Sequence, residues 1–277
     1  MDVSGFYNMD CMDAMRELED NCIDLTVTSP PYDGLRDYKG FLFDAETVIE
    51  QLYRITKHGG VVVWIVNDQM INGSESGTSF RQALKFIEYG FCLHDTMIWQ
   101  KISPFQHSNR YIQQFEYMFI FSKGKPKTAN LICDRRNIYR GTSIHGTERQ
   151  VNGSTKALST VQKSKEVKDF GARYNIWDIA PEKNNKTGHP AVFPEKLASD
   201  HIRTWSEYGD TVFDPFAGSG TTLVAAKKLG RNYIGFEISE DYYKAASERL
   251  EREKAMQPLF APEEIYKPQQ QGLNFED

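Results

Sequence analysis

Four consecutive residues, Ser29-Pro30-Pro31-Tyr32, combine a hydroxyl, two backbone positions without an N–H donor and an aromatic ring. They follow Leu25 to Thr28, a short β-branched run of the kind that forms a buried strand. Two prolines cannot continue that strand, so it ends at Ser29 and the carbonyls around the prolines are not consumed by a helix or a ladder. Hydroxyl and ring are thereby held in fixed relation, an arrangement able to grip a flat substrate with hydrogen-bonding edges. The same prolines could equally serve only to end the strand, with Tyr32 covering it. Pro-Pro-Tyr by itself does not separate the two.

A second group lies far along the chain, in Thr211-Val-Phe-Asp-Pro-Phe-Ala-Gly-Ser-Gly-Thr-Thr222. A strand runs into a Gly-x-Gly turn and a helix from Leu223 to Leu229, and the glycines at 218 and 220 let backbone approach a ligand closely. Asn232 to Glu237 is the next strand, ending in a carboxylate seventeen residues beyond Gly220 and placed to accept both hydroxyls of a ribose. Tight packing would explain the glycines but not Glu237. Thr221, Thr222 and Leu223 stand where a dinucleotide fingerprint has its third glycine, which disfavours a pyrophosphate cofactor.

The elements that must position these groups alternate between strand and helix. Gly5 to Asp10 reads as a short strand, Cys11 to Glu19 as a helix, and Asp33 to Phe43 as a Gly- and aromatic-rich lid after the Pro-Pro corner. Asp44 caps a helix with Val48, Leu52 and Ile55 at helical spacing, ended by Gly59-Gly60. Val61 to Val66 is wholly apolar and is expected at the centre of a parallel sheet. Asp68 to Ser79 reads as a loop, Phe80 to Tyr89 as a helix, and Phe91 to Gln100 and Phe115 to Ser122 as strands. A helix from Pro194 to about Gly209 and another from Asp241 to Met256 complete the pattern. The expected divisions are 1–122 and 188–256 as two halves of one domain, 123–187 as a basic insertion and 257–277 as a polar tail.

At 277 residues and 40% hydrophobic content, one large α/β domain with a small insertion is expected. No apolar run reaches the roughly 20 residues of a membrane helix, and the N-terminus lacks a signal-peptide pattern, so a cytoplasmic protein is expected. Cys11, Cys22, Cys92 and Cys133 have no metal-ligand spacing and read as reduced thiols. The net charge of −5 is unevenly spread. Lys123 to Arg173 holds twelve basic residues against four acidic ones, a local surplus suited to phosphate on an otherwise acidic chain, or else a solvated basic loop. Lys123, Lys125, Lys127, Arg135, Arg136 and Arg140 are its first candidates for phosphate contact.

Asp214 to Thr222, Thr28-Ser-Pro-Pro-Tyr32 and His189-Pro-Ala-Val-Phe-Pro194 together resemble the S-adenosylmethionine-dependent DNA amino-methyltransferases. Their order is similar to the β class, in which the catalytic tetrapeptide precedes the target-recognition region and the cofactor motif comes last. The resemblance covers roughly residues 1–122 and 187–253. It implies a Rossmann-like methyltransferase fold: a mostly parallel seven-stranded sheet with helices on both faces, in permuted motif order, carrying a small inserted target-recognition region. It implies S-adenosylmethionine as cofactor and S-adenosylhomocysteine as product. Asp214, Pro215, Phe216, Ala217, Gly218, Ser219, Gly220 and Thr221 would form the cofactor turn, Glu237 would hold the ribose and Asp10 would approach the adenine amine. His189 to Pro194 matches the segment leading into the helix beside the cofactor's methionyl end. Ser29, Pro30, Pro31 and Tyr32 would be catalytic. Double-stranded DNA is the implied partner, in a prokaryotic or phage-infected cell. A cognate restriction endonuclease and a homodimeric state are further expectations on partners.

The chemistry accounts for these residue types. An exocyclic amine is a poor nucleophile because its lone pair is delocalised into the ring. Accepting both amine hydrogens, on the Ser29 hydroxyl and the Pro30 carbonyl, favours a pyramidal nitrogen and is stronger in the transition state than in the ground state. Tyr32 can stack on a base that has left the helix. Ser in the first position resembles the enzymes that methylate cytosine N4, whereas Asp or Asn is usual for adenine N6; cytosine is expected, with adenine the alternative. Methylation at cytosine C5 needs a nucleophilic Cys, typically after Pro, and no Pro-Cys pair exists. Protein glutamine methyltransferases carry a related Asn-Pro-Pro-Tyr but have the cofactor motif first. A catalytically silent DNA-binding subunit and an NAD-dependent oxidoreductase are weaker alternatives.

Overall fold

The computed structural model describes residues 4–31, 43–101, 109–144, 146–159, 165–181 and 193–255. Contacts divide the chain into two compact units, one formed by residues 1–130 and 175–277 and the other by Leu131–Tyr174.

In the first unit, eight strands form one sheet: β1 (Gly5–Tyr7), β2 (Ile23–Thr28), β3 (Thr56–Val66), β4 (Cys92–Gln100), β5 (Phe115–Ser122), β6 (Ile176–Asp178), β7 (Thr211–Asp214) and β8 (Asn232–Phe236). Their spatial order is β1-β8-β7-β2-β3-β5-β4-β6. Every neighbouring pair is parallel except those of β5, which is antiparallel to both β3 and β4. The expected seven strands are therefore joined by an eighth at the edge. It comes from Ile176–Asp178, which the sequence reading assigned to the insertion: Ile176, Trp177 and Asp178 pair with Ile98, Trp99 and Gln100, and Trp177 is buried.

Alternation along β3 shows how the layers form. Val62, Trp64 and Val66 enter one core with α1 (Cys11–Arg16), α2 (Ala45–Ile55) and α3 (Thr78–Glu88). Val61, Val63 and Ile65 enter the other with α4 (Glu195–Trp205) and α5 (Thr221–Lys228). A strand buried on both faces has to be apolar at consecutive positions, as Val61 to Val66 is. A last helix, α6 (Glu240–Ala255), packs Leu250 against Leu223 and Val224.

Several boundaries differ from the sequence reading. Helix α2 ends at Ile55, not at Gly59-Gly60, because Thr56 already pairs with Ile23 as part of β3 while its hydroxyl donates to the Leu52 carbonyl at 2.6 Å. Helices α1 and α4 are shorter than expected. The loop 68–79 contains a small hairpin, Met70–Ile71 paired with Ser74–Glu75. The lid 33–43, apart from Phe43, and the tail 257–277 lie outside the described residues.

Strand direction also corrects the basic segment. Since β5 runs antiparallel to β3, its last residue Ser122 lies opposite Val61, at the end of the sheet where β3 enters its apolar run. Ser29 leaves β2 at the other end, beyond Thr28, which is paired with Trp64. Lys123, Lys125 and Lys127 therefore follow β5 at the end of the sheet opposite the Pro-Pro corner. Lys123, expected to be exposed for DNA contact, is instead buried, and its ammonium donates to Asn21 Oδ1 at 2.9 Å, Tyr53 O at 2.7 Å and Thr56 O at 2.9 Å. It also lies over the Tyr53 ring, and burial lowers its pKa from the ordinary lysine value. Lys127 is exposed and 4.0 Å from Asp210. Lys123→Met should cost about 2–4 kcal/mol of unfolding free energy by stranding three acceptors, while leaving the salt dependence of DNA binding unchanged. A shallower salt slope with unaltered stability would restore Lys123 to the DNA-contacting set.

The second unit contains two short antiparallel ribbons, Arg135–Arg136 with Phe170–Gly171 and Thr147–Arg149 with Thr155–Ala157, and a bridge between Ser143 and Glu166. The unit Leu131–Tyr174 is narrower than the insertion expected over 123–187. Lys123 to Asn130 is tied into the first unit, through Gly59, Gly60 and Thr204, and Ile176–Asp178 belongs to its sheet.

Candidate active site

Strands β2 and β7 are neighbours, with Leu25 opposite Val212 and Thr26 opposite Phe213. At their ends the Thr28 hydroxyl donates to Asp214 Oδ1 at 2.6 Å, and the same oxygen accepts from the Phe216 backbone N–H at 3.1 Å. Thr222 crosses the same gap, its hydroxyl donating to the Val27 carbonyl at 3.0 Å. Thr28 and Asp214 are both buried. Ser29 and the turn from Pro215 to Gly220 thus set out from one hydrogen-bonded pair, although 186 positions separate its members. Ser29 and Pro31 are half-buried and Pro30 is buried; Tyr32 lies outside the described residues.

Burial pushes the Asp214 carboxyl up to about 6, against the opposing pull of the Thr28 hydroxyl and the Phe216 N–H. An acid whose pKa is higher in the folded chain than in the unfolded one keeps its proton longer when folded. Stability contributed by this group is therefore present at acid pH and lost as pH rises from about 4 to about 6. Replacing Asp214 by Asn removes that titration. The unfolding free energy of the parent relative to Asp214→Asn should fall by about 3 kcal/mol across that window and then level off. Urea midpoints of the two proteins that run parallel between pH 4 and 7 would show that the group titrates normally.

The glycine turn uses the left-handed region, with Gly218 at φ +49° and Gly220 at φ +74°. At Gly220 a Cβ would also stand 3.2 Å from the Ala246 Cβ. Glu237 closes the turn: Oε2 accepts from the Gly218 N–H at 2.9 Å and Oε1 from the Ser239 N–H at 2.8 Å. Its own N–H donates to Tyr7 O at 3.1 Å, bringing the end of β1 alongside. Asp10 follows β1 and caps α1, accepting the Met12 N–H at 2.7 Å. Cys11 adjoins both acids; burial first and then the Asp10 charge push its thiol up to about 12, so it stays protonated and is no nucleophile. Phe216 meets the Phe43 ring edge-on at 5.4 Å and Trp64 at 6.5 Å.

Not every residue of the turn faces outward. Asp214, Ser219 and Thr221 are buried. Ser219 and Thr221 join each other at 3.2 Å and are braced by Arg249, which donates to Ser219 O at 3.2 Å and to Thr221 Oγ1 at 3.1 Å. Pro215, Ala217, Gly218 and Gly220 are buried as well, which leaves Phe216, Glu237 and Asp10 as the partly exposed residues of the expected set. The set fits the adenosine part of S-adenosylmethionine. A carboxylate has about four acceptor positions, and the Gly218 and Ser239 N–H groups use two of those on Glu237, leaving acceptor capacity for two ribose hydroxyls.

Arg249 escaped the sequence reading, and Thr28 was read there only as the head of the Pro-Pro motif, with no role of its own. Thr28 gave a faint signal, a hydroxyl at the end of an otherwise buried run. Arg249 gave none, since on α6 it reads as a solvated base. Of the expected motif His189 to Pro194, residues 189–192 lie outside the described residues, and Pro194 is the N-cap of α4. In the second unit Arg136 and Arg140 are exposed, while Arg135 donates to Ala172 O at 3.0 Å and lies over the Tyr174 ring.

A family model described as DNA methylase, of the N6 and N4 type, matches residues 23–248. The orphan methyltransferase M.BamHII of Bacillus amyloliquefaciens is 55% identical over 247 residues, covering 85% of this chain and 92% of its own. A Thermus thermophilus chain assigned as a DNA modification methylase, solved with S-adenosyl-L-methionine, superposes with a TM-score of 0.61 at 25% identity, covering 90% of this chain and 94% of its own. The PvuII DNA methyltransferase, cytosine-N4-specific, has a TM-score of 0.65 at 20% identity, covering 94% and 89%, a likeness of fold.

Proposed function

Since the chain belongs to the N6/N4 DNA methylase family and is a DNA methyltransferase that uses S-adenosylmethionine, we propose that its acceptor is the N4 amine of a cytosine flipped out of duplex DNA. The observation that carries the choice of base is Ser29 at the head of Ser-Pro-Pro-Tyr.

In this reading the Ser29 hydroxyl and the Pro30 carbonyl accept the two amine hydrogens and turn the nitrogen lone pair toward the methyl donor. When bound, S-adenosylmethionine supplies an electrophilic methyl on a positively charged sulfur. Glu237 holds the ribose, Asp10 approaches the adenine amine, and Gly218 and Gly220 allow close passage of the backbone. Tyr32 stacks on the flipped base, and positioning supplies much of the acceleration. Arg135, Arg136 and Arg140 are the proposed phosphate contacts, Lys123 being withdrawn from that role. The relative named an orphan methyltransferase favours action without a dedicated endonuclease. Self-association is favoured by Phe80, Leu84 and Ile87, an exposed apolar stripe on α3; a single monomeric species in sedimentation at micromolar concentration would remove it.

Mass spectrometry of nucleosides from plasmid DNA incubated with the protein and S-adenosylmethionine should find N4-methylcytosine. Methyl on adenine, or none, would overturn the assignment.

A further inference from the structure

Glycines that reach the left-handed region also leave it easily, so the conformation of Gly218 and Gly220 has to be held from outside the turn. Glu237 does this on one side, through the Gly218 N–H. On the other side stands α6, which presents Ala246 to Gly220 and, three residues further on, Arg249 to Ser219 and Thr221. Leu250, next to Arg249, is buried against Leu223 and Val224, so this stretch of α6 is packed on α5.

The guanidinium is divided between two tasks. Nη1 donates to the Ser219 carbonyl at 3.2 Å and to Thr221 Oγ1 at 3.1 Å, while Nη2 donates to Glu195 Oε2 at 3.2 Å. The peptide group between Ser219 and Gly220 is thereby held at both ends, its carbonyl by Arg249 and its N–H by Ala217 O at 2.7 Å. Glu195, in the first turn of α4, also accepts from Lys228 Nζ at 2.9 Å, and Lys228 pairs with Glu253 at 3.2 Å. Two acids and two bases thus join α4, α5 and α6 beside the turn. Their side chains are between 19% and 41% exposed. Ion pairs as open as these contribute little to folding. What the network fixes is direction: Glu195 holds one edge of the planar fork of Arg249, and the other edge is aimed at Ser219 and Thr221.

We propose that Arg249 is a positioning residue for S-adenosylmethionine, setting its affinity by holding residues 219–221 of the glycine turn, and that Glu195 contributes only through Arg249. This rests on the reading of the glycine turn and Glu237 as the cofactor site, but not on which base is methylated.

The test uses the full chain and its Arg249→Met, Arg249→Lys, Glu195→Gln, Glu195→Gln/Arg249→Met and Glu237→Ala variants. Calorimetry gives Kd for S-adenosylmethionine and S-adenosylhomocysteine, methyl transfer gives kcat and KM, and unfolding midpoints are measured alongside. Arg249→Met should raise both Kd values about 10- to 30-fold, with the cofactor KM rising in step and kcat at saturating cofactor falling about threefold or less. Arg249→Lys keeps a cation for Glu195 but lacks the fork, so it should keep the unfolding midpoint and still bind both ligands about 3- to 10-fold more weakly. Glu195→Gln should raise Kd about threefold when Arg249 is present and leave it unchanged in Arg249→Met. Parent-like Kd values in Arg249→Met or Arg249→Lys, a loss confined to kcat, or a Glu195→Gln effect that persists without Arg249 would overturn the role. If Arg249→Met does not fold, Arg249→Lys decides. A Glu237→Ala variant with unchanged Kd values would show instead that the turn is not the cofactor site, and the role of Arg249 would fall with it.

Discussion

Thr28→Val should transfer methyl about 10- to 100-fold more slowly than the parent protein while binding S-adenosylmethionine within about threefold of it. Valine has the shape of threonine, so the fully buried position stays filled and only the hydrogen bond to Asp214 is lost. That bond reaches a carboxylate in a dry setting, where such bonds contribute roughly 1.5–3 kcal/mol. It also joins the last residue before the Ser-Pro-Pro corner to the first residue of the cofactor turn. Loosening it lets acceptor and donor sites drift against each other, which penalises the aligned transition state more than cofactor binding. The split between turnover and affinity sets this role apart from a purely structural one, which would lower the unfolding midpoint and leave kcat alone. Thr28→Ser restores the hydroxyl and should recover most of the rate. If Val and Ser variants turn over equally, or if cofactor affinity falls in step with rate, the clamp does not position the reaction.

The sequence disclosed the centre of this fold more readily than its edges. Val61 to Val66 and Leu25 to Thr28 are apolar or β-branched at every position, which is what burial on both faces of a sheet demands, and both became central strands. The edge strand Ile176–Asp178 has three residues and lies beside a polar stretch, so no period could announce it. Gly59-Gly60 resembled a helix stop; pairing of Thr56 with Ile23 had already ended the helix, and pairing across 33 positions has no local mark. The two ends of the candidate site stand out in sequence because Ser-Pro-Pro-Tyr has two consecutive residues without an N–H donor and Gly-Ser-Gly can take the positive φ that Gly218 and Gly220 adopt. The contacts joining them do not, because Thr28 and Asp214 are ordinary residues until strand order makes them neighbours. Lys123 shows the converse. In sequence it opens a basic run, and only the antiparallel return of β5 reveals that it is buried at the far end of the sheet.

Glu237→Ala should raise the Kd for S-adenosylmethionine about 100-fold or more, and that for S-adenosylhomocysteine equally, because both carry the same ribose. In the proposed site the carboxylate would serve two parties at once. It satisfies the Gly218 and Ser239 N–H groups, which holds the turn open at its positive φ, and it has acceptor capacity left for the ribose hydroxyls. Losing it removes two charge-assisted hydrogen bonds to ligand, together roughly 3–5 kcal/mol, and unpins the backbone that the ligand passes. Glu237→Gln keeps one acceptor oxygen and loses the charge, so its Kd should lie between those of parent and Ala variant. The pH dependence follows from burial, which raises the Glu237 pKa from its ordinary value despite the backbone N–H groups that donate to it. Only the ionised group accepts from both sides with full strength. Affinity should therefore weaken as pH falls, beginning above the usual carboxylate range, and the Gln variant should lack this dependence. Calorimetric titrations at pH 5 to 8, with unfolding midpoints measured alongside to confirm intact folding, decide it: an Ala variant that binds as tightly as the parent would move the ribose site elsewhere. Thr28 and Glu237 then make opposite demands on one data set. The first should change rate and spare affinity, the second should change affinity first, and a reversal would mean that the donor and acceptor halves have been exchanged.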